Sequence, residues 1–235
     1  MARARLGDAT YAVDLAENAA DRRAVFALRE AEYRASQSYL LTSPGAPGAS
    51  HAPNALHCAS DPYDARSFVF VCHRTADSGA RITPPLATCR FTLPLWGSFE
   101  LDDLTPSWTR PPVPLDALVE TSRVVVQRSA RATGIVEAML LLAGSWLLRE
   151  TPLRYNFAVC ARPLDRLYAR LGMRLTSDDE LTLRGRPAHR KYVVIYGDMK
   201  TSRPSVEARL RARGWEFPDS DESETSMTTM RKAGT

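Results

Sequence analysis

The residue whose setting most suggests chemistry is Glu120, in the run Leu118-Val-Glu-Thr-Ser-Arg-Val-Val-Val126. A carboxylate on an otherwise apolar strand is costly unless it is paired or used. Used, it is a general base that takes a proton, through water, from an incoming ammonium. Paired, it forms a structural ion pair with Arg123 or Arg90. Alternation along a strand puts Arg123 on the face opposite Glu120 unless a bulge intervenes. Arg90, on a neighbouring strand, is then the better partner for Glu120 or for a substrate carboxylate. Asp61 and Asp64 could hold an ammonium, pin an arginine such as Arg29, or edge a solvated loop. Arg29 reads as a helix surface charge, set apart only by its spacing to Tyr33 and Tyr39.

Other chemistries find no support. The four histidines (His51, His57, His73, His189) lack metal-ligand spacing and no Cys-x-x-Cys occurs, so no metal is expected. There is no Gly-x-Ser-x-Gly element for a serine nucleophile, no P-loop and no dinucleotide fingerprint. Cys58, Cys72, Cys89 and Cys160 are scattered without pairing, which points to reduced thiols and a cytoplasmic location. At 235 residues, 44% hydrophobic and 25% charged, the chain is globular and long enough to bury a core. Its longest apolar stretch, Met139 to Leu148, stops at Arg149, well short of the roughly 20 residues a membrane span needs. The N-terminus has no apolar signal core. The net charge of +4 is unevenly spread: residues 219–235 carry −2 and the rest +6. A basic body attracts acidic partners, among them nucleic acid, CoA phosphates and an acidic carrier protein. Only Trp215 stands near the basic segment from Lys200 to Arg213, too little stacking surface for nucleic acid.

The elements that must position these residues follow from the hydrophobic pattern. Residues 10–40 read as helical, from Ala24, Val25, Leu28 and Ala31. Residues 42–60, with three prolines and two glycines, read as a long mobile loop. Ser67–Cys72 and Leu86–Leu93 form an antiparallel strand pair around a turn at Ala76–Gly79, and 94–116 is irregular. A buried strand at 118–126 runs into the small, basic stretch Gln127 to Gly134 and then an apolar helix, Ile135 to Leu148. A strand at 154–160 leads to a helix opened by Pro163 and closed by Gly172. Strands at 173–183 and 190–197 and a short helix near 205–213 complete the ordered chain, with a disordered acidic tail at 218–235.

This order of strand, basic glycine-containing turn, apolar helix, strand and Leu-Tyr-Ala-Arg-Leu-Gly-Met resembles the Gcn5-related N-acyltransferases (GNAT). Arg131-Ala-Thr-Gly-Ile135 is similar to that family's Arg-Gly-x-Gly turn, with Ala132 in place of the first glycine. More narrowly, five elements resemble acyl-homoserine-lactone synthases and the related N-acyl amino acid synthases. They are Arg29-x-x-x-Tyr33 with Tyr39, Asp61-x-x-Asp64, Thr88-Cys-Arg90, Glu120-x-Ser-Arg123 and the turn itself, spanning roughly residues 20–175. Tyr33 and Tyr39 replace a usual Phe and Trp, and the 42–60 loop is longer than the pattern suggests.

The resemblance implies one α/β acyltransferase domain over residues 1–217, with a mixed twisted sheet whose middle strands splay apart, flanked by helices. It implies an N-acyltransferase that moves an acyl group from an acyl thioester, on acyl carrier protein or CoA, to the amine of a small molecule such as an amino acid. An acetyl-CoA-dependent N-acetyltransferase and a non-catalytic acyl-thioester-binding module are the alternatives. It assigns catalysis to Glu120 and to Tyr168, whose phenol would protonate the departing thiolate. It assigns the acyl-phosphopantetheine to Val124, Val126, Arg128, Arg131, Ala132, Thr133, Gly134 and Ile135, where N–H groups at a helix N-terminus bind phosphate. It assigns the amine substrate to Arg29, Tyr33, Tyr39, Asp61, Asp64, Arg90 and Arg123. The acyl chain would lie against the 135–148 helix and Phe91, Trp146 and Phe157.

Overall fold

The computed structural model describes residues 2–37, 62–94 and 98–218. Tyr39, Asp61, the 42–60 loop and the tail beyond Pro218 lie outside the described residues. Nine strands form one sheet in the order β7-β8-β6-β5-β4-β3-β2-β1-β9. These are β1 (Ala2–Leu6), β2 (Ala9–Leu15), β3 (Ser67–Thr75), β4 (Arg81–Thr92), β5 (Leu118–Val126), β6 (Tyr155–Ala161), β7 (Arg174–Leu175), β8 (Tyr192–Asp198) and β9 (Trp215–Glu216). Every neighbouring pair is antiparallel except β5 and β6.

The sequence pattern misreads both ends of the sheet. The helical region expected over 10–40 divides into β2 and α1 (Ala19–Ser36), because Thr10–Leu15 pairs along β3 and Asn18 then caps the helix through Ala20 N and Asp21 N. Helical spacing within α1 does not extend back through Ala9–Leu15. The expected strand at 173–183 shrinks to two residues of β7 plus a single bridge from Leu181 to Tyr192. Residues 94–116 hold the short helix α2 (Glu100–Leu104). The last helix, α5 (Met199–Arg211), begins six residues earlier than expected, capped by Asp198 through Lys200 N and Thr201 N. Pro204 sits inside it, where its ring nitrogen has no N–H to donate.

Side-chain alternation divides the core between the two faces. Phe70, Cys72, Cys89, Phe91, Val193 and Ile195 face α3 (Ile135–Glu150) and α5. Val69 and Val71 face α1, while Leu118, Phe157 and Val194 pack with Phe99 and Trp108 of the α2 segment. Arg81 ties α1 to the sheet through Asp14 at 2.9 Å and Asp21 at 2.8 Å. Gly172 ends α4 (Asp165–Ala169) at φ +75, and a Cβ there would overlap Ser202 Cβ of α5. Gly172→Ala is therefore expected to cost about 2 kcal/mol, from left-handed backbone and overpacking together. A denaturant midpoint unchanged by the substitution would show that α5 yields freely.

Candidate functional site

The centre of the sheet is built around a defect in β5. Thr88 pairs with Val125, but Arg90 pairs with Ser122, so β5 carries one extra residue. Arg123 absorbs it at φ +50, the one non-glycine residue with positive φ among those described. The bulge turns the expected facing around. Glu120 and Ser122 share a face with Arg90, and beyond the bulge it is Val125, not Val124, that meets α1, packing on Leu28 and Tyr33. Val124 and Val126 pack instead toward the α3 side. Arg123 is not left opposite Glu120: its guanidinium reaches Glu100 at 2.9 Å.

A second consequence is that β5 and β6 part. They pair only from Leu118–Tyr155 to Glu120–Phe157, after which β6 continues with β8 alone. Past Glu120, β5 and β6 share no ladder pairing among the described residues, and the two strands border a wedge-shaped opening.

On the α1 and α2 side of the opening, buried charges form a chain. Arg29 Nη1 donates to both oxygens of Asp64 at 2.8 Å. Arg90 Nη1 lies 3.6 Å from Asp64, its Nη2 is 2.5 Å from Glu100, and its Nε donates to Ser122 Oγ at 3.0 Å. Arg186 adds a third guanidinium at 3.7 Å from Glu100. Arg29, Arg90 and Glu120 are at most 1% exposed. Glu120 accepts from the N–H of Glu100 at 2.6 Å and of Leu101 at 3.1 Å, so its carboxylate caps α2. Burial pushes the Glu120 carboxyl up to about 8, reinforced by Glu100 and opposed by Arg90 and the two N–H groups. Of the alternatives for Asp64, the structure realises the pinned arginine. Glu100 links the two: its carboxylate meets Arg90 and Arg123 while its N–H donates to Glu120. Glu100 and Arg186 are the members the sequence pattern missed. The one signal was an acidic helix start, Glu-Leu-Asp-Asp, after an apolar Phe99.

At the far end of β5 the chain turns through Arg128–Ala130 and enters α3 at Gly134, whose φ of +85 requires glycine-like freedom. Trp215 Nε1 holds this turn by donating to Thr133 O at 3.0 Å. Arg213 lies over Gly134, 3.2 Å from Glu137 and 3.5 Å from Ala132 O. Ile135 is buried beneath the turn, and Arg131 remains 45% exposed at the side chain. Arg213 belongs to the turn in space, though far from it in sequence.

On the α3 side, a cavity of about 40 Å³ is lined by Phe91, Thr121, Gly144, Tyr168, Met173 and Met199 among others. Tyr168 is buried, and desolvation, with Cys160 and Cys89 nearby, pushes its phenol well above the usual range, so it stays protonated. Thr121 Oγ1 has no hydrogen-bond partner among the described residues. The expected aromatic lining is only partly present. Phe91 is there, but Trp146 meets Phe68 and Phe70 edge to face, and Phe157 lies on the other face against Phe99 and Trp108. Glu120 opens downward to α2 and Phe157 follows it through the parallel pairing, which is why that ring cannot reach the α3 side.

No family model and no curated protein matches the sequence. Solved structures do match. The AHL synthase LasI superposes with a TM-score of 0.55 at 12% identity, covering 80% of this chain and 90% of that one. FeeM, an N-acyl amino acid synthase from uncultured soil microbes, gives 0.52 at 10% identity, over 84% and 95%. An acyl-CoA N-acyltransferase from Pseudomonas aeruginosa gives 0.51 at 14% identity, over 81% and 99%. The chain has a GNAT-like α/β acyltransferase fold, with the mixed sheet and splayed middle strands that the resemblance implied.

Proposed function

We propose that the protein is an N-acyltransferase that moves an acyl group from an acyl thioester to the amine of a small molecule such as an amino acid or its derivative. The observation that carries this reading is the bulged β5, parting from β6 beside a basic turn that opens a helix. An extended pantetheine can lie along the side of β5 that parts from β6 as an added strand, its phosphate meeting the turn. Val124 and Val126 supply the edge; Arg128, Arg131 and the Ala132–Ile135 backbone receive the phosphate. N–H groups on that edge lie where a tetrahedral oxyanion would develop. The amine attacks the thioester carbonyl directly, Glu120 accepts its proton through water, and Tyr168 returns a proton to the thiolate. Arg90 and Arg123, with Arg29 and Asp64 holding α1 behind them, shape the amine side; Tyr33, packed on Val125, fixes the wall between the two. Residues 1–217 act as one catalytic domain, in the cytoplasm. No helix of the described residues is long and apolar enough to cross a membrane.

The carrier is an acyl carrier protein or CoA. A cavity of about 40 Å³ holds about three waters, so a medium acyl chain enters only as Met173 and Met199 change rotamer. Free thiol release from acyl carrier protein or acyl-CoA in the presence of amino acids tests the reading; no thiol released with any amine would overturn it. Arg131→Ala is expected to raise the apparent KM for the carrier more than it lowers the maximal rate, because a phosphate contact acts in ground and transition states alike. Steady-state kinetics over a carrier titration separate the two.

A non-catalytic acyl-thioester-binding module has one observation in its favour: both Glu120 oxygens are already occupied by α2. That reading predicts carrier binding without turnover.

A further inference from the structure

The turn between β5 and α3 already holds an anion, and the chain itself supplies it. Glu32, on α1, accepts the Arg128 backbone N–H through Oε1 at 3.0 Å, and its Oε2 lies 2.6 Å from Arg131 Nη2. One main-chain donor and one guanidinium on a single acid group is how a phosphate is held. The contact spans 99 residues of sequence and is set by backbone packing, since Leu28 and Tyr33 of α1 pack on Val125 of β5. The carboxylate is mostly covered, at 13% exposure, while Arg131 is open to solvent. Beside it, the N–H groups of Ala132, Gly134, Val136 and Glu137 have no acceptor among the described residues.

We propose that Glu32 is an internal stand-in for the phosphate of the acyl carrier: the phosphate displaces its carboxylate and takes over Arg131 and the Arg128 N–H. This rests on the reading that the turn binds the phosphate of an acyl-phosphopantetheine. Arg131 is engaged before any carrier arrives, so part of its attraction for phosphate is spent in breaking the Glu32 pair. Two anions a few ångströms apart repel, so Glu32 and the phosphate cannot share the place. Glu32 therefore sets how tightly the turn holds its carrier, and does so without touching the acyl group or the amine.

The test is calorimetric titration of coenzyme A and of 4′-phosphopantetheine into the wild-type protein, Glu32→Gln, Arg131→Ala and the double variant. Glu32→Gln is expected to bind both compounds about tenfold more tightly, the scale of one like charge removed from a half-screened site. Arg131→Ala should weaken both, because it removes a phosphate contact and leaves the Glu32 carboxylate uncompensated, and the double variant should recover the second part of that loss but not the first. Equal gains for the two compounds place the effect on the phosphate they share; a gain for coenzyme A alone overturns the proposal. Unchanged or weaker binding by Glu32→Gln also overturns it, since Glu32 would then be positioning Arg131 for phosphate. A double variant no better than Arg131→Ala has the same consequence. If wild type binds neither compound, the phosphate reading of the turn falls first and the proposal with it. An unfolding midpoint close to wild type shows that Glu32→Gln leaves the fold intact.

Discussion

Asp64→Ala is expected to destabilise the protein by about 3–5 kcal/mol, the cost of leaving a buried charge without its counter-ion. Arg29 is fully buried and donates through Nη1 to both Asp64 oxygens. Its Nε and Nη2 have no hydrogen-bond partner among the described residues, so no second acceptor there can take up the charge. For a domain of this size the loss corresponds to roughly 10 °C in Tm. Replacing Arg29 with Met in the same chain should recover much of it, because an apolar side chain of similar length needs no counter-ion. Urea unfolding of the two single variants and the double variant gives the coupling energy directly. A loss below about 1 kcal/mol for Asp64→Ala would show that another group neutralises Arg29. The pair matters beyond stability: it anchors the middle of α1, and α1 carries both Glu32 onto the turn between β5 and α3 and Tyr33 onto β5.

The central β-turn-α-β unit was legible in the sequence because each of its signals is local. Three β-branched residues close β5, glycine and small residues mark the turn, and the apolar run from Ile135 continues as α3. Glu120 stands out for a physical reason that also holds in the structure, a carboxylate almost wholly buried on an apolar strand. Its immediate partners were not legible, because they are main-chain N–H groups 19 and 20 residues away, brought in by a short helix without a strong periodic signal. The facing of Arg123 turned on a bulge, and nothing in Thr-Ser-Arg-Val declares a positive φ at an arginine. Arg186 and Arg213 come from loops and helix ends whose reach depends on tertiary packing. At the N-terminus, β1 is only five residues, Ala-Arg-Ala-Arg-Leu, whose alanines strand propensity does not favour, and the seven residues of β2 set two alanines and an aspartate among Thr, Tyr and Val. What the sequence held was residue chemistry and local period; what it withheld was the set of long-range contacts that decide which charge meets which.

Glu120→Gln is expected to lower turnover by about a hundredfold or more, the usual contribution of a positioned general base. The amide keeps the size of the carboxyl but cannot accept a proton, and it changes the pH profile as well as the rate. Because burial holds the wild-type carboxyl up to about 8, the fraction able to act as base grows as pH rises from 6 toward 9, and wild-type turnover should climb over that range. The variant should lose that climb and keep only whatever dependence the substrate amine imposes through its own ionisation. Stability is affected too, with a definite sign. Near pH 5, before the ionisation penalty of the wild type sets in, one of the two N–H groups that Glu120 binds would face an amide NH2, costing about 1 kcal/mol, or about 3 °C in Tm. In the wild type, a carboxyl raised in the folded state makes folding less favourable as pH climbs from the unfolded value near 4.5 toward 8, and Glu120→Gln should flatten that decline. The two roles of Glu120 therefore separate in one experiment, rates and unfolding midpoints measured on the same samples from pH 5 to 9. A folded variant with a lowered Tm, a flattened stability profile and undiminished turnover would make Glu120 a helix cap alone. The proton would then leave the amine by another route.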